Sequence, residues 1–271
     1  QIGAARWNML ANPQGLAEPH PFTSYEFFAA LEESGSACAA TGWQPAHLLG
    51  DDGLMPLYLK SHSQGEYVCD HAWAEALERV GGDYYPKLQA CVPFTPVTGR
   101  RVLAANDGAR KTLLKTAAAA MKQIGASSLH LTFLTREEWQ AAGNAGYLLR
   151  TGQQFHWENP GYTSFDQFLG ELSSAKRKNL RKERASVRDA GVTFDWLTGA
   201  GITEAHWDQF FNFYMDTGGR KWGTPYITRD FFYRLGQYLF RKTLVIIANR
   251  VRKYVSVALT LFGDGGLCGP R

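Results

Sequence analysis

The stretch KLQACVPFTPVTGR, residues 87–100, decides the fold of this chain. Its first eight residues are typical of a β-strand, and the prolines and glycine that follow stop regular pairing, so an irregular loop is predicted over 95–100. An alanine-rich helix is predicted over 108–124 with Asp107 as its cap. SLHLTFL at 128–134 then predicts a further strand. The order strand, loop, helix, strand indicates an α/β unit with one mixed sheet.

The segments on either side extend this pattern into two similar halves. The first half is predicted to contain a helix over 24–33 and strands over 54–60, 66–70 and 147–158. The second half is predicted to run through a long basic helix, a strand, two helices and a closing strand pair, over residues 164–190, 192–197, 204–218, 228–240, 244–248 and 255–262. No helix follows the last strand, so we expect an ordered C-terminal stretch beyond this chain.

Length and composition place the chain among globular proteins. It has 271 residues, 45% of them hydrophobic and 20% charged, which excludes disordered and collagen-like classes. The net charge of +4 does not by itself drive binding to DNA. Four cysteines stand far apart without metal-site spacing, so reduced thiols and no metal are expected. No stretch reaches the roughly 18 apolar residues of a spanning helix, and we predict a cytoplasmic protein without a transmembrane segment.

Standard catalytic signatures do not occur in the sequence. It contains no GxxxxGK[ST], GxGxxG, HExxH or GxSxG motif. These motifs mark phosphate-loop kinases, Rossmann dehydrogenases, zinc proteases and serine hydrolases, so all four classes become improbable.

The loop after the strand at 87–94 is the first candidate for ligand binding. A strand that ends in an irregular loop before a helix offers free backbone N–H groups and the positive end of the helix dipole, which suit a pyrophosphate or a carboxylate. The alternative is a plain crossover with surface arginines. The candidate residues in and beside this loop are Phe94, Thr95, Val97, Thr98, Gly99 and Arg100.

Two further segments carry clustered cations. In the predicted helix at 164–190, Lys176, Arg177 and Arg181 belong to a basic face that suits phosphates, although basic runs on solvated helix faces are common. Lys221 and Trp222 lie in a glycine-rich loop between two helices, where charged and aromatic groups are typical of a ligand-covering loop. A tight connector between the two helices is the alternative.

Polar side chains on predicted strands are the candidates for catalysis. His130 alternates with leucines in the strand at 128–134, and Gln154 and His156 share one face of the strand at 147–158. If the strands pair, two imidazoles and an amide meet on one surface. An imidazole titrates near neutral pH, so this group provides a base for deprotonating an amine. A structural role for each histidine is the alternative.

With these residues in view, the chain resembles the bacterial family of predicted N-acyltransferases related to the Fem-type aminoacyltransferases of peptidoglycan synthesis, within the GNAT superfamily. The resemblance extends over most of the chain in long collinear strings. They are PFTSYEFFAALEESGS (21–36), TGWQPAHL (41–48), MPLYLKSHSQGEYVCDHAWAEA (55–76), YYPKLQACVPFTPVTGRR (84–101), SSLHLTFL (127–134), GQQFHWENPGYTSFDQFLGELSSAKRKNLRKER (152–184) and RKWGTPYITRDFF (220–232).

The resemblance implies an α/β (α+β) fold of two tandem GNAT-like domains, over 1–150 and 151–271, each with a mixed, largely antiparallel sheet flanked by helices. It also implies transfer of an acyl or aminoacyl group to an amine of a small molecule or a peptidoglycan precursor. The donor would be acyl-CoA as a co-substrate, with aminoacyl-tRNA as the alternative and no tightly bound cofactor. The family continues beyond the LCGPR end of this sequence, so the second domain is expected to be incomplete.

A second hypothesis is a non-catalytic module that kept the fold and recognises peptidoglycan precursors or other anionic ligands through its basic helix. The two hypotheses differ in whether the polar strand faces open into one cleft. The sequence leaves the donor, the acceptor and the oligomeric state open.

Overall fold

The structure is a computed structural model that describes residues 2–15, 19–68, 70–220, 225–263 and 266–268. Helices and strands intersperse along the chain. The helices are α1 (Ala4–Ala11), α2 (Tyr25–Glu33), α3 (His71–Arg79), α4 (Asp107–Gln123), α5 (Arg136–Asn144), α6 (Phe165–Gly170), α7 (Ser174–Asp189), α8 (Glu204–Arg220) and α9 (Arg229–Tyr238). The strands are β1 (Trp43–Pro45), β2 (Leu48–Gly50), β3 (Gly53–Met55), β4 (Tyr58–Lys60), β5 (Lys87–Ala90), β6 (Leu103–Ala104), β7 (Leu129–Leu131), β8 (Val192–Thr198), β9 (Thr243–Arg250), β10 (Lys253–Gly263) and β11 (Gly266–Cys268).

The strands form several sheets with helices beside them, which confirms the predicted mixed α/β class. The first sheet has the strand order β1-β4-β5-β7, a second has β11-β10-β9-β8, and a small third sheet has β2-β3-β6. In the first sheet β1, β4 and β5 pair antiparallel, whereas β5 and β7 pair parallel. A parallel pair needs a crossover connection, and α4 lies in that connection.

The apolar core of this part of the fold lies between α4 and one face of the first sheet. Leu113, Leu114 and Ala117 of α4 are buried together with Ala90 of β5, and the leucines of β7 pack against this cluster. Successive side chains of a strand point to opposite faces. Because Leu129 and Leu131 pack, partly buried, against the α4 cluster, His130 lies on the other face, as the alternation in the sequence predicted.

Two compact units make up the chain. Unit 1 comprises Gln1–Leu149, Leu197–Val245 and Ala258–Arg271, and unit 2 comprises Arg150–Trp196 and Ile246–Val257. The boundaries near residues 196, 245 and 257 fall within β8, β9 and β10. The division into tandem domains at 1–150 and 151–271 stays a prediction, since spatial clustering does not test whether two halves share a fold.

The strands predicted over 54–60 and 66–70 are not formed as predicted. Residues 54–60 contain the last two residues of β3 and all of β4, two strands of different sheets, with Pro56 between them. Proline lacks the N–H that a continuous ladder needs. The described part of 66–70 forms no strand, because Glu66 and Asp70 turn their carboxylates toward a buried lysine.

Two predictions around the start of unit 2 also need correction. Residues 147–158 contain no strand, and Phe155 and Trp157 are exposed, so the alternating aromatic side chains find no core to cover. The single helix predicted over 164–190 is two helices, α6 and α7. The break occurs because Ser173 accepts a hydrogen bond from the N–H of Lys176 and starts a new helix.

In the described part of the chain, no helix combines the length and the apolar composition that crossing a lipid bilayer requires.

The residue that caps the N-terminus of α4 can be tested by substitution. Asn106, and not the predicted Asp107, caps the helix, because its Oδ1 accepts from the N–H of Ala109 at 2.9 Å. The Asp107 side chain is 91% exposed and forms a surface ion pair with Arg110. We expect Asn106→Ala to lower the free energy of unfolding by about 1 kcal/mol. Asp107→Ala, the matched control, should cost less than about 0.5 kcal/mol in the same urea titration. Equal losses would contradict the assignment.

Candidate functional site

One face of the first sheet is polar although it is buried. Lys60 of β4 stands opposite Lys87 of β5, and Gln89 stands opposite His130 of β7. Lys60, Lys87 and Gln89 are each 0% exposed. Ammonium groups cannot be buried in this way without partners, because removing a charge from water is costly.

The partners of Lys87 come from the irregular segment between β4 and α3. Its Nζ donates to Ser63 Oγ at 2.7 Å, to Glu66 Oε2 at 2.7 Å and to Asp70 Oδ2. Ser63 Oγ is in turn 2.7 Å from the hydroxyl of Tyr85. Charge-assisted hydrogen bonds of this kind are stronger than neutral ones, so the segment is held against the sheet by Lys87.

The charge of Lys60 is balanced by weaker contacts than the charge of Lys87. Its Nζ lies 3.4 Å from the centre of the Trp43 ring and 3.9 Å from Glu66 Oε1. Burial lowers the pKa of Lys60 from its ordinary value to about 7, although the nearby Glu66 carboxylate opposes this shift. At neutral pH the amine is therefore divided between its charged and neutral forms.

The two buried acids differ in their preferred charge. Burial raises the pKa of Glu66 and outweighs the effect of Lys87 and Lys60. Burial also acts to raise the pKa of Asp70, but hydrogen bonds led by that of Lys87 outweigh it, so the pKa of Asp70 is lowered. Asp70 therefore keeps its negative charge to lower pH than Glu66 does. Within the described part of the chain, the buried atoms Glu66 Oε1 and Asp70 Oδ1 accept no hydrogen bond.

His130 is connected to this buried network through Tyr84. The hydroxyl of Tyr84 donates to Asp70 Oδ2 at 2.9 Å and lies 3.4 Å from His130 Nε2. His130 Nε2 is also 2.9 Å from Ser128 Oγ. The ring is partly exposed, whereas Asp70 and Lys87 are buried. A chain of polar groups therefore leads from a half-exposed imidazole into the sheet.

The other two candidates for catalysis lie in unit 2. His156 Nε2 is 3.1 Å from Gln154 Oε1, and both side chains are exposed. They do not share a strand face, because the strand that carried this interpretation is not formed. Their role in catalysis stays a prediction.

The candidate donor loop leaves β5 toward α4. Phe94, at φ 61°, and Thr95 are buried, and Phe94 stacks on Tyr226 at 5.5 Å. The N–H of Gly99 donates to Phe133 O at 3.0 Å, and the carbonyl of Val97 accepts from Arg101. Thr98 is exposed. The loop is thus fixed by contacts within unit 1.

The cation of this loop has backbone partners. The guanidinium of Arg100 donates to the carbonyls of Leu10 at 2.6 Å and Ala104 at 2.9 Å. Its predicted role as a phosphate ligand stays a prediction, but in this structure its donors tie α1 and β6 to the loop.

The basic helix of the sequence analysis is α7 in unit 2. Lys176 is exposed, Arg177 donates to Gly170 O at 3.3 Å, and Arg181 pairs with Asp166 at 3.2 Å. Their contact with a donor phosphate stays a prediction. Lys221 and Trp222 lie outside the described residues.

Sequence reasoning did not single out the buried network of Lys60, Ser63, Glu66, Asp70, Tyr84 and Lys87. A signal was present in KLQA at β5, where Lys87 and Gln89 alternate with residues that pack in the core. Lys60, the last residue of β4, is likewise a lysine at a buried strand position. Lysine on the inner face of a buried strand predicts acidic partners, but the sequence does not say where they come from.

Loss of Lys87 tests the network. Lys87→Met leaves Glu66 and Asp70 without their shared ammonium group, and we expect the free energy of unfolding to fall by about 3–5 kcal/mol. Lys87→Met with Glu66→Gln and Asp70→Asn should recover part of this loss, since the two acids no longer leave buried negative charges without an ammonium partner. Lys111→Met on the exposed side of α4 is the control, with a change under about 0.5 kcal/mol in urea denaturation. A small effect of Lys87→Met alone would contradict the network.

The lowered pKa of Lys60 predicts a pH dependence. Between pH 7 and pH 9 the unfolded chain holds this proton and the folded chain largely releases it, so the unfolded state binds more protons and the free energy of unfolding rises with pH. The contribution is at most about 1.4 kcal/mol per pH unit. Above pH 9 the buried thiol of Cys91, with a pKa raised to about 12, acts in the opposite direction. Urea titrations at several pH values should show a shallower rise for Lys60→Met, and identical slopes would refute the assignment.

A solved structure of L-PGS from Bacillus licheniformis is 12% identical, with a TM-score of 0.46, and the alignment covers 94% of this chain and 66% of that chain. No curated protein matches the chain. A model of the FemAB-like family, described as peptidoglycan biosynthesis/recognition, matches residues 1–270. This chain belongs to the FemAB-like family.

Proposed function

We propose that the chain transfers an acyl or aminoacyl group from an activated donor to an amine of a peptidoglycan precursor. The family description supports the peptidoglycan part of this proposal. The observation that carries the chemical part is the connected series His130, Tyr84, Asp70 and Lys87. It joins an imidazole, a side chain that can act as a general base, to a buried acid.

The proposed reaction requires a base that accepts the amine proton and requires no covalent enzyme intermediate. As the amine nitrogen forms its bond to the carbonyl carbon of the donor, His130 accepts the amine proton. The carbonyl oxygen becomes negative in the tetrahedral intermediate, and the bond from carbon to the sulfur or oxygen of the leaving group then breaks. The imidazolium returns the proton to that leaving group, so the enzyme is regenerated.

Tyr84 and Asp70 are proposed as positioning residues. The phenol donates to Asp70 Oδ2, which directs its oxygen toward His130 Nε2. A phenol oxygen that accepts from the imidazole stabilises the protonated ring, and the negative charge of Asp70 strengthens this effect. Lys87 keeps Asp70 in place from the opposite side.

The donor is proposed to be acyl-CoA, bound as a co-substrate, or an aminoacyl-tRNA as the alternative. Both present phosphates and a carbonyl bound to a good leaving group. Because the Arg100 guanidinium already bonds backbone carbonyls, phosphate contacts at the loop would depend mainly on backbone N–H groups. Lys176, Arg177 and Arg181 are the proposed phosphate ligands on α7.

An activity assay with matched histidine variants tests the proposal. Purified chain is incubated with acyl-CoA or charged tRNA and an amine-bearing peptidoglycan precursor, and the product is measured by mass spectrometry, with free thiol as a second readout for CoA. We expect His130→Gln to lower kcat by about 10²–10⁴-fold. Tyr84→Phe should lower kcat less and shift the pH profile of kcat. His71→Gln, at an exposed position of α3, is the matched control and should stay within about threefold of the parent chain.

Two outcomes would contradict the proposal. Equal losses in His130→Gln and His71→Gln would remove the assigned base. Precursor binding by calorimetry without transfer from either donor would favour the second hypothesis, a non-catalytic recognition module.

A further inference from the structure

A continuous surface of aromatic and basic side chains occupies α6, α7 and the segment before them in unit 2. The Arg184 guanidinium lies 4.1 Å from the centre of the Phe165 ring, and Phe165 lies 5.7 Å from Phe168. Trp157 meets Phe168 edge to face at 6.2 Å. We name this the aromatic–basic surface, and its residues are Trp157, Phe165, Phe168, Arg177, Arg181, Arg184 and Arg188.

The arginines of this surface follow one stripe of α7. Arg177, Arg181, Arg184 and Arg188 recur at spacings of four, three and four residues, which places them on one side of a helix. The contacts of Arg184 with Phe165 and of Arg181 with Asp166 show that this side adjoins α6, and Arg181, Arg184 and Arg188 remain exposed to solvent.

The positive charge of the whole chain is concentrated here. In α7, seven Lys and Arg residues stand against Glu183 and Asp189, so the helix carries +5, whereas the chain carries +4. The rest of the chain therefore has a net charge of −1. Such a concentration favours a partner with many negative charges spread over an area.

The aromatic rings distinguish between two such partners. Single-stranded nucleic acid needs open ring faces on which bases stack. Arg184 covers one face of the Phe165 ring, and Trp157 and Phe168 meet edge to face, so the rings form no stack of parallel faces. Trp157 is nevertheless 66% exposed and Phe165 41% exposed. Partly exposed aromatic side chains beside Lys and Arg are typical of contact with the headgroup region of a bilayer.

We propose that the aromatic–basic surface docks the chain on an anionic lipid bilayer. The arginine stripe faces the headgroup phosphates, and the neighbouring rings of Trp157 and Phe165 enter the headgroup layer. Arg177 and Arg181 are also proposed as ligands of donor phosphates, so variants of Arg184 and Arg188, which the transfer reaction does not use, separate the docking from that reaction. Because the attraction is electrostatic at an exposed surface, it weakens as salt screens the charges.

Vesicle co-sedimentation with the full chain tests the docking. We expect binding to vesicles of phosphatidylglycerol and phosphatidylcholine, little binding to phosphatidylcholine alone, and release between about 0.1 M and about 0.5 M NaCl. Arg184→Glu with Arg188→Glu should lower the partition coefficient at least about tenfold. Trp157→Ala should lower it about threefold or more, and Trp157→Phe should retain binding.

The matched control is Lys111→Glu with Lys115→Glu, which makes the same charge change at exposed positions of α4 in unit 1. It should alter vesicle binding by less than about twofold, and circular dichroism should show every variant folded. An equal loss in this control, binding to neutral vesicles, or no binding to anionic vesicles would overturn the proposal. Tighter binding of a 20-nucleotide RNA that displaces the vesicles, with the same arginine dependence, would assign the surface to nucleic acid instead.

Discussion

The first sheet depends on the neutralisation of two lysines that stand opposite each other on its buried face. Like charges at directly opposed positions of neighbouring strands destabilise a sheet. The acidic groups that relieve this repulsion come from outside the sheet, on the segment between β4 and α3. The segment must therefore follow the positions of Lys60 and Lys87, which explains why it is irregular. Gly65 allows this path, because at φ 78° a Cβ would lie 2.8 Å from the Phe94 ring.

The two faces of the first sheet carry different kinds of side chain. One face is covered by α4 and its apolar side chains, and the other carries lysines, a glutamine and His130. Because β5 and β7 are parallel neighbours, Gln89 and His130 are brought side by side although 40 residues separate them along the chain. The half-exposed position of His130 at the edge of a buried ionic network gives this residue both contact with solvent and a fixed environment. This combination makes it the best-supported candidate for proton transfer in the chain.

Charge is used differently in the two compact units. In unit 1 the notable charges are buried and paired, as with Lys87 and Asp70, so they fix local geometry and contribute little to the outer field. In unit 2 the charges of α7 are exposed and mostly of one sign, so they act on partners at a distance. Net charge alone does not reveal this division, because +4 is modest for 271 residues. The distribution along the chain is the informative quantity.

The sequence by itself determined the mixed α/β class, most helices, the alternation in β7 and the basic character of α7. These features depend on local periodicity and capping, which neighbouring residues set, as Ser24 does for α2. Family membership was also readable, since it rests on long collinear strings. The strand predicted at 147–158 failed because a strand needs a partner, which local alternation does not supply. Only the tertiary structure decided which acids neutralise Lys60 and Lys87, and that Tyr84 joins His130 to Asp70. Those contacts join residues distant in sequence, and the burial that shifts the pKa values of Lys60 and Glu66 exists only once the sheet and its covering segment have come together.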